Sequence, residues 1–169
     1  MNQDMIISID AGCGTNKKAQ IGLDIVKTPS VDIICDLEHI PVKKDSVDSI
    51  ISEHVIEHVE KPYDVLREFH RILKKGGILN IATPHAFTTG AYSIDHKNYF
   101  VLRSLDYVLN PFLVEHYSGL QFKLKSRTLR LHGRLSKHLN PVVRTNPMFF
   151  ERLLKFMPFE PDIQWIMEK

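Results

Sequence analysis

A glycine-containing loop and the aspartates around it are the residues of this chain best suited to hold a ligand. The segment IDAGCGT, residues 9–15, contains two glycines, which let the backbone turn sharply and approach a ligand without a Cβ in the way. Asp10 stands inside the segment, and Asp24 and Asp36 follow in IGLDI and ICDL. Asp24 can accept hydrogen bonds from two ribose hydroxyls, and Asp36 can accept one from an adenine amino group. Acids after three successive predicted strands indicate a nucleoside ligand. The alternative is that each acid merely caps a turn.

The segment HVIEH, which runs from His54 to His58, could hold a metal ion. It matches HxxEH, the inverted zinc-protease motif in which two histidines bind zinc and the glutamate serves as a base. That motif needs a third ligand and a helix centred on it, whereas this segment directly follows an apolar run and precedes Pro62. We therefore predict no metal site, with Glu57 and His58 in capping and packing roles. A zinc hydrolase remains a minor alternative.

Three histidines are candidates for a general base on the substrate side. His54 opens the turn after a predicted strand. His85 follows the residues Ala-Thr-Pro at the end of another predicted strand, and His96 stands beside Asp95 in a polar loop. An imidazole of near-neutral pKa suits proton removal from a hydroxyl or a protonated nitrogen. Each of these loop histidines has solvent exposure as its alternative explanation.

The sequence pattern predicts that a parallel sheet with helices positions these residues. Short apolar runs rich in Ile and Val, bounded by turn residues or acids, predict strands at 5–9, 20–25, 31–36, 47–52 and 78–83. Their residues are apolar throughout, as expected of buried parallel strands. Apolar residues at helical spacing predict a helix that begins at Pro62 and ends at the pair Gly76 and Gly77. The strand–helix–strand order predicts an α/β fold, in which ligands bind beyond the carboxyl ends of the strands.

The second half of the chain has a less regular pattern. It predicts a helix over 99–109, a strand over 121–131, a short helix over 147–157 and a final strand in which Ile163, Trp165 and Met167 alternate. The alternation of the strand over 121–131 slips near 126–128, which predicts a β-bulge or bend there.

Composition places the chain among ordinary globular proteins. With 169 residues, 43% hydrophobic and 25% charged, we expect one domain over 1–169. The two distant cysteines favour a reducing compartment, so we expect a cytoplasmic protein. The apolar runs are far shorter than the ~20 residues of a membrane helix, and the first ten residues do not read as a signal peptide. A basic segment over 116–150, with seven Lys or Arg and no acid, is interpreted as a solvated surface.

The motifs together resemble the class I S-adenosylmethionine-dependent methyltransferases, in particular small members with a DxGCG loop, two strand-end acids and an HxxEH segment. Here these read DAGCGTNKK, IGLDI, ICDL and SEHVIEHVEKPYDVLREFHRILKKGGILNIATP. The match runs in order from residue 6 to about residue 84. It implies a Rossmann-like, doubly wound, seven-stranded sheet that is mostly parallel with an antiparallel last strand. The cofactor-binding half would be 1–84 and the substrate-side half 85–169.

The resemblance also implies which residues hold S-adenosylmethionine. The methionine part would lie against Asp10 and the loop backbone, the ribose against Asp24, and the adenine beside Asp36. His54 would lie next to the sulfonium. The implied cofactor-binding residues are Asp10, Ala11, Gly12, Gly14, Asp24, Ile25, Asp36, Leu37, Ser52 and Glu53.

Two crossovers of this chain are shorter than the pattern requires. Only residues 15–19 stand between the glycine loop and the second predicted strand, and only five residues separate the second strand from the third, against the dozen or so of a usual parallel crossover. We expect no full helix there, so part of one sheet face should be bare. Either the basic segment with the helix over 147–157 covers it, or a second copy of the chain does, and we favour a homodimer. Lys17 and Lys18 could supply positive charge behind the loop or form a solvated turn.

The sequence disfavours one class of methyl acceptor but does not identify the acceptor. SEHV stands where nucleic-acid-methylating relatives often show an NPPY-type tetrapeptide, which disfavours a nucleic-acid substrate. A small molecule, a glycan or a lipid-linked intermediate is left as the acceptor. A non-catalytic nucleoside-binding module is the competing function, because the crossovers are short.

Overall fold

The chain is built around one seven-stranded sheet. The computed structural model describes residues 6–132, 136–154 and 160–169. The strand order is β3-β2-β1-β4-β5-β7-β6, with β7 antiparallel to both of its neighbours and the other pairs parallel. This confirms the predicted α/β, Rossmann-like fold with an antiparallel last strand. The strands are β1 (Ser8–Ala11), β2 (Ile21–Asp24), β3 (Ile33–Ile34), β4 (Val47–Glu53), β5 (Leu73–Pro84), β6 (Lys123–Arg130) and β7 (Asp162–Glu168).

The helices are few and short. Helix α1 has proline at its first position, where the missing N–H costs nothing, and it buries Val65, Leu66, Phe69 and Ile72 on one side. It ends at Ile72, four residues before the predicted stop, because the chain enters β5 directly at Leu73. The helices are α1 (Pro62–Ile72), α2 (Asp106–Leu109), α3 (Pro111–Leu113), α4 (Ser136–Thr145) and α5 (Pro147–Leu154), with a 3-10 turn at Thr89–Tyr92 and a π-turn at Val114–Ser118.

Several second-half predictions need correction. The helix predicted over 99–109 is wrong except for α2, because the indole of Trp165 donates to the carbonyl of Leu102 at 3.1 Å and Ser104 accepts from the amide of Val101 at 2.9 Å. These bonds hold the first part as turns. Helix α4 was not predicted, and it carries a proline inside. The predicted bulge is confirmed as a register shift between Leu124 and Ser126. The predicted start of the first strand and the end of the helix over 147–157 lie outside the described residues.

The core lies on one face of the sheet. On that face Ile9 pairs with Ile50, which pairs with Leu79, and all three are at most 1% exposed. The buried side chains of α1 and α4 join the same cluster. Burial on this side therefore fixes the register of the strands and the position of their carboxyl ends.

The opposite face of the sheet is mixed in character. Ile51, Asn80 and Ile166 are register partners across β4, β5 and β7, and all three are only half-buried. Gln164 donates to Asn80 at 3.0 Å on the same face. The expectation that the strands are apolar throughout is therefore wrong, because polar and apolar side chains share this side. Both short crossovers lack a helix, as predicted.

The helix α5 does not cover that face. Its Glu151 accepts from the amide of Leu102 at 2.7 Å, which places α5 beside the core side of the second half. Intramolecular cover by residues 147–154 is thus excluded. Within the described ranges, every helix is too short or too polar to cross a bilayer.

Candidate functional site

Two adjacent cavities lie at the carboxyl ends of β1, β2 and β4, and Gly12 lines both. The larger cavity has a volume of about 380 Å³ and the smaller about 210 Å³. The larger is lined by Gly12, Asp24, Ile25, Cys35, Asp36, Leu37, Glu38, His54, Val55, His58, Val59, Glu60 and Lys97. The smaller is lined by Asp10, Gly12, Cys13, Thr15, Asn16, Lys18 and Glu53.

Position 12 requires glycine for two reasons. Its φ is +79°, a conformation that side chains with a Cβ rarely adopt. A Cβ placed there would also lie 2.2 Å from Cγ2 of Val55. A side chain at position 12 would therefore collide with Val55, which lines the larger cavity.

The amides of the glycine loop are occupied within the protein. The N–H groups of Gly12 and Cys13 both donate to the carbonyl of Leu23, at 2.8 and 3.1 Å. The N–H of Gly14 donates to Oδ2 of Asp24 at 2.9 Å. Ala11 is fully buried in β1. The backbone that the resemblance implied as a methionine ligand thus serves to clamp the loop onto β2.

The larger cavity brings together the predicted nucleoside residues. Asp24 accepts from the amides of Gly14 and Val26, and each carboxylate oxygen keeps a further lone pair. Asp36 is exposed and accepts from the amide of Glu38 at 2.9 Å. The side chain of Ile25 is 69% exposed, so it offers an apolar surface at the cavity wall.

The smaller cavity is polar and carries both signs of charge. Burial raises the pKa of Asp10, which accepts from the amide of Lys18 at 2.6 Å. The ammonium of Lys18 lies 2.6 Å from Glu53. Burial alone would raise the pKa of Glu53, but the hydrogen bond from Lys18 and the charge of Arg130 lower it overall. Lys17 instead pairs with Asp32, so only Lys18 of the two lysines lines this cavity.

His54 directly follows β4, has a φ of +56° and lines the larger cavity. Its Nε2 lies 3.3 Å from Asp162 and its Nδ1 lies 3.5 Å from Glu57. These two carboxylates raise the pKa of His54 to about 10. An imidazole that is charged at neutral pH donates hydrogen bonds and does not accept a proton, unlike the near-neutral base expected from the sequence.

The other predicted residues lie apart from the cavities. His85 is fully buried, and its Nε2 lies 3.0 Å from Glu151 while its Nδ1 accepts from the amide of Phe87. Burial lowers the pKa of His85 despite that glutamate. Ser52 is buried on the core side, and its hydroxyl has no hydrogen-bond partner among the described residues. His96 is half-buried beside His58, at a ring distance of 4.6 Å.

The structure adds site residues that the sequence analysis missed. Asp162 accepts from His132 at 2.7 Å and lies 3.4 Å from Arg130, which in turn lies 3.5 Å from Glu53. This chain of charges links the smaller cavity to the ends of β6 and β7. The sequence contained a signal for Asp162, because it stands at the start of the antiparallel last strand. The start of that strand lies at the same edge of the sheet as the carboxyl ends of the parallel strands.

Comparison with known proteins points to the methyltransferases, the family that the sequence motifs resemble. The family model of the methyltransferase domain matches residues 9–81. A SAM-dependent methyltransferase from Archaeoglobus fulgidus is 16% identical with a TM-score of 0.63, covering 99% of this chain and 87% of that one. An S-adenosylmethionine-dependent methyltransferase from Mesorhizobium loti is 17% identical with a TM-score of 0.54, covering 97% and 91%.

A structure described as the cyclase SpnF shares the fold as well, at 15% identity and a TM-score of 0.58, covering 97% of this chain and 75% of that one. The search of curated proteins finds no match. Together these findings confirm the resemblance to the class I S-adenosylmethionine-dependent methyltransferases. At such identities the solved structures speak for the fold alone.

Proposed function

We propose that this protein transfers a methyl group from S-adenosylmethionine to a small-molecule, glycan or lipid-linked acceptor. The observation that carries the proposal is the pair of cavities that meet at Gly12. One is walled by strand-end acids and apolar side chains, and the other is small and charged. A nucleoside joined to an amino acid has these same two parts.

The residues present fit that cofactor. Asp24 would accept from the ribose hydroxyls, and the adenine would lie between Ile25 and Leu37 with its amino group toward Asp36. In the smaller cavity, Asp10 and Glu53 would hold an ammonium, and Lys18 a carboxylate. Lys18 takes the part first assigned to the loop amides, which are occupied. The cofactor supplies the electrophilic methyl group, and the protein supplies the positioning that an in-line displacement requires.

On the acceptor side we place His54, because it is the predicted catalytic histidine that lines the larger cavity. His85 is assigned to packing, since it is fully buried with both ring nitrogens engaged. His96 lies behind His58 in the loop next to that cavity. We propose one domain with a cofactor half, 1–84, and an acceptor half, 85–169. A cytoplasmic location, suggested by the free thiols of Cys13 and Cys35, and a homodimer stay predictions.

A nucleoside-binding module without transfer activity is the second candidate. The observation that favours it is the occupied glycine loop, together with the absence of helices from the first two crossovers of the described structure. The structure described as a cyclase shows that this fold also occurs under a name other than methyltransferase. Turnover separates the two candidates, since both require the nucleoside site.

The acceptor can be found with cofactor labelled with tritium in its methyl group. Extract fractionated by size and polarity is incubated with the protein, and label is expected in one low-molecular-mass or lipid fraction. A variant with Asp24→Ala serves as the control and, at a limiting concentration of cofactor, should transfer much less label. Tight cofactor binding without label in any fraction would favour the binding module, and label in nucleic acid would overturn the proposed acceptor class.

A further inference from the structure

Three potential metal ligands meet beside the larger cavity. Glu57, His58 and His96 each offer one ligand atom, and these atoms all lie within 4.8 Å of one another. Glu57 and His58 belong to the turn after β4, whereas His96 comes from the loop after β5. The cluster is therefore made by the fold and not by the HxxEH spacing, because His54 points instead toward Asp162.

Hydrogen bonds hold the two loops together at this point. The carbonyl of Glu57 accepts from the amides of Lys97 and Asn98, at 2.7 and 3.0 Å. The side-chain amide of Asn98 donates to the carbonyl of Val59 at 2.7 Å. The residue next to His96 is thus fixed to the backbone of Glu57, so the three side chains do not meet by chance contact of free loops.

Both imidazoles are oriented through one ring nitrogen. The Nδ1 of His58 lies 3.2 Å from the carboxylate of Asp95 and 3.3 Å from its carbonyl. The Nδ1 of His96 lies 3.0 Å from the carbonyl of Ala91. Metal-bound histidines almost always donate one ring N–H to a carboxylate or carbonyl, which fixes the tautomer and leaves the other nitrogen as ligand. In both His58 and His96 the Nδ1 atom is the engaged one, so the Nε2 atom of each ring can serve as the metal ligand.

The carboxylate of Glu57 has no hydrogen-bond partner within the described structure. The residue is 1% exposed, and both of its carboxylate oxygens are buried without a bond. The Nδ1 of His54 lies 3.5 Å away, so this charged imidazole is an ion-pair partner but makes no well-formed hydrogen bond to the carboxylate. A buried carboxylate is costly unless it is paired, hydrogen-bonded or bound to a metal.

We propose that Glu57, His58 and His96 bind a divalent transition-metal ion, with Zn²⁺ as the best match. Two imidazoles and one carboxylate are a known zinc ligand set, and three protein ligands leave a coordination position open. This replaces the prediction from sequence that the chain holds no metal. The missing third ligand was His96, which lies 38 residues after His58 in the sequence. His58 also lines the larger cavity, so this metal site would be a neighbour of the cofactor site, and metal binding is measured without cofactor.

The test uses the full chain stripped with EDTA and dialysed back against ZnCl₂ or CoCl₂. We expect about one ion per chain and, with Co²⁺, the visible absorption of a site with fewer than six ligands. His96→Gln and Glu57→Gln should each weaken binding at least about tenfold, and Asp95→Asn about tenfold through His58. His39→Gln, which removes an exposed imidazole outside the cluster, should leave binding unchanged.

Thermal unfolding supplies a second measurement that does not depend on reading metal content. ZnCl₂ should raise the unfolding temperature of the wild type, because the ion binds the folded chain. It should raise that of Glu57→Gln much less, since this variant lacks one of the three ligands. Absence of stoichiometric metal, or full binding by either cluster variant, would overturn the proposal. Neither outcome bears on the cofactor site, which is measured separately.

Discussion

At the scale of single residues, Gly12 and Gly14 form a matched pair. Both have positive φ, at +79° and +52°, but a Cβ would meet Val55 only at position 12 and nothing within 4 Å at position 14. Gly14→Ala should cost about 1–2 kcal/mol of the free energy of unfolding through backbone strain. Gly12→Ala should cost more and should also weaken cofactor binding. Urea unfolding and calorimetry of both variants check this, and equal effects would show that the Val55 contact is unimportant.

Asp24 provides a second test at this scale. Replacing it with alanine removes the proposed acceptor for the ribose hydroxyls and should weaken cofactor binding by about 1.5–3 kcal/mol. Asp64→Asn, on the exposed side of α1 where it pairs with Arg67, is the matched control and should leave affinity unchanged. Calorimetric titration measures both variants. An Asp24→Ala protein with wild-type affinity would place the ribose elsewhere.

The residues predicted from sequence were those that follow strands. Asp24 and Asp36 could be placed because parallel strands end at one edge, so an acid after a strand lies near the ligand. The occupied loop amides could not be foreseen, since motif letters do not show where an N–H donates. Lys18 could not be separated from Lys17 without knowing which of them faces the cavity.

At the scale of elements, hydrogen bonds made by Arg71 and Glu68 tie α1 to the loop before β4. Arg71 donates to Glu68 and to the carbonyls of Ile40 and Val42, while Glu68 accepts from the amide of Ile40. The hydrogen bond from Arg71 lowers the pKa of Glu68 below its ordinary value of 4.5. The stability that this provides is present above pH 4.5 and is lost as the pH falls through the lowered pKa.

Glu68→Gln should therefore destabilise the protein at neutral pH, by less than about 1 kcal/mol because the pair is partly exposed. The difference from the wild type should shrink in acid. Urea unfolding at a series of pH values measures it. A difference that stays constant below pH 4.5 would mean that the charge of Glu68 does not contribute.

Regular elements could be predicted, and irregular ones could not. Helix α1 has a clear period and a proline at its start, and β7 alternates cleanly. The segment 99–109 has a helical pattern, but tertiary hydrogen bonds to Leu102 and Ser104 hold its first part as turns. Helix α4 contains Pro141, which argues against a helix in any local analysis.

At the scale of the molecule, the short crossovers leave a mixed sheet face without a helix in the described structure. An interface as a whole is about as apolar as the rest of a protein surface, so the mixed polarity of this face is compatible with one. We expect a homodimer through this face, detectable by light scattering at micromolar concentration. Replacing Ile51 and Ile166 together with glutamate should yield a folded monomer, whereas Ile94→Glu, at an exposed position, should not. A monomeric wild type would contradict this expectation and would show that the face is exposed to solvent.

The absence of crossover helices from this sheet face could be predicted by counting the residues between strands. The mixture of polar and apolar side chains on the face could not be predicted in that way. Polar residues such as Ser49 and Asn80 lie at alternate positions, so the pattern of burial is one-sided. The short strands hide this in the sequence, because two or three Ile or Val residues in a row read as buried on both faces.

The central claim is that the two cavities hold S-adenosylmethionine, and direct calorimetric titration tests it. The full chain is titrated with S-adenosylmethionine and with S-adenosylhomocysteine, using adenosine and methionine as separate controls. We predict one binding site per chain for each of the two cofactor forms, with adenosine weaker and methionine weakest, because the nucleoside cavity is the larger. Absence of heat and of any thermal shift with either cofactor form at millimolar concentration would contradict the account.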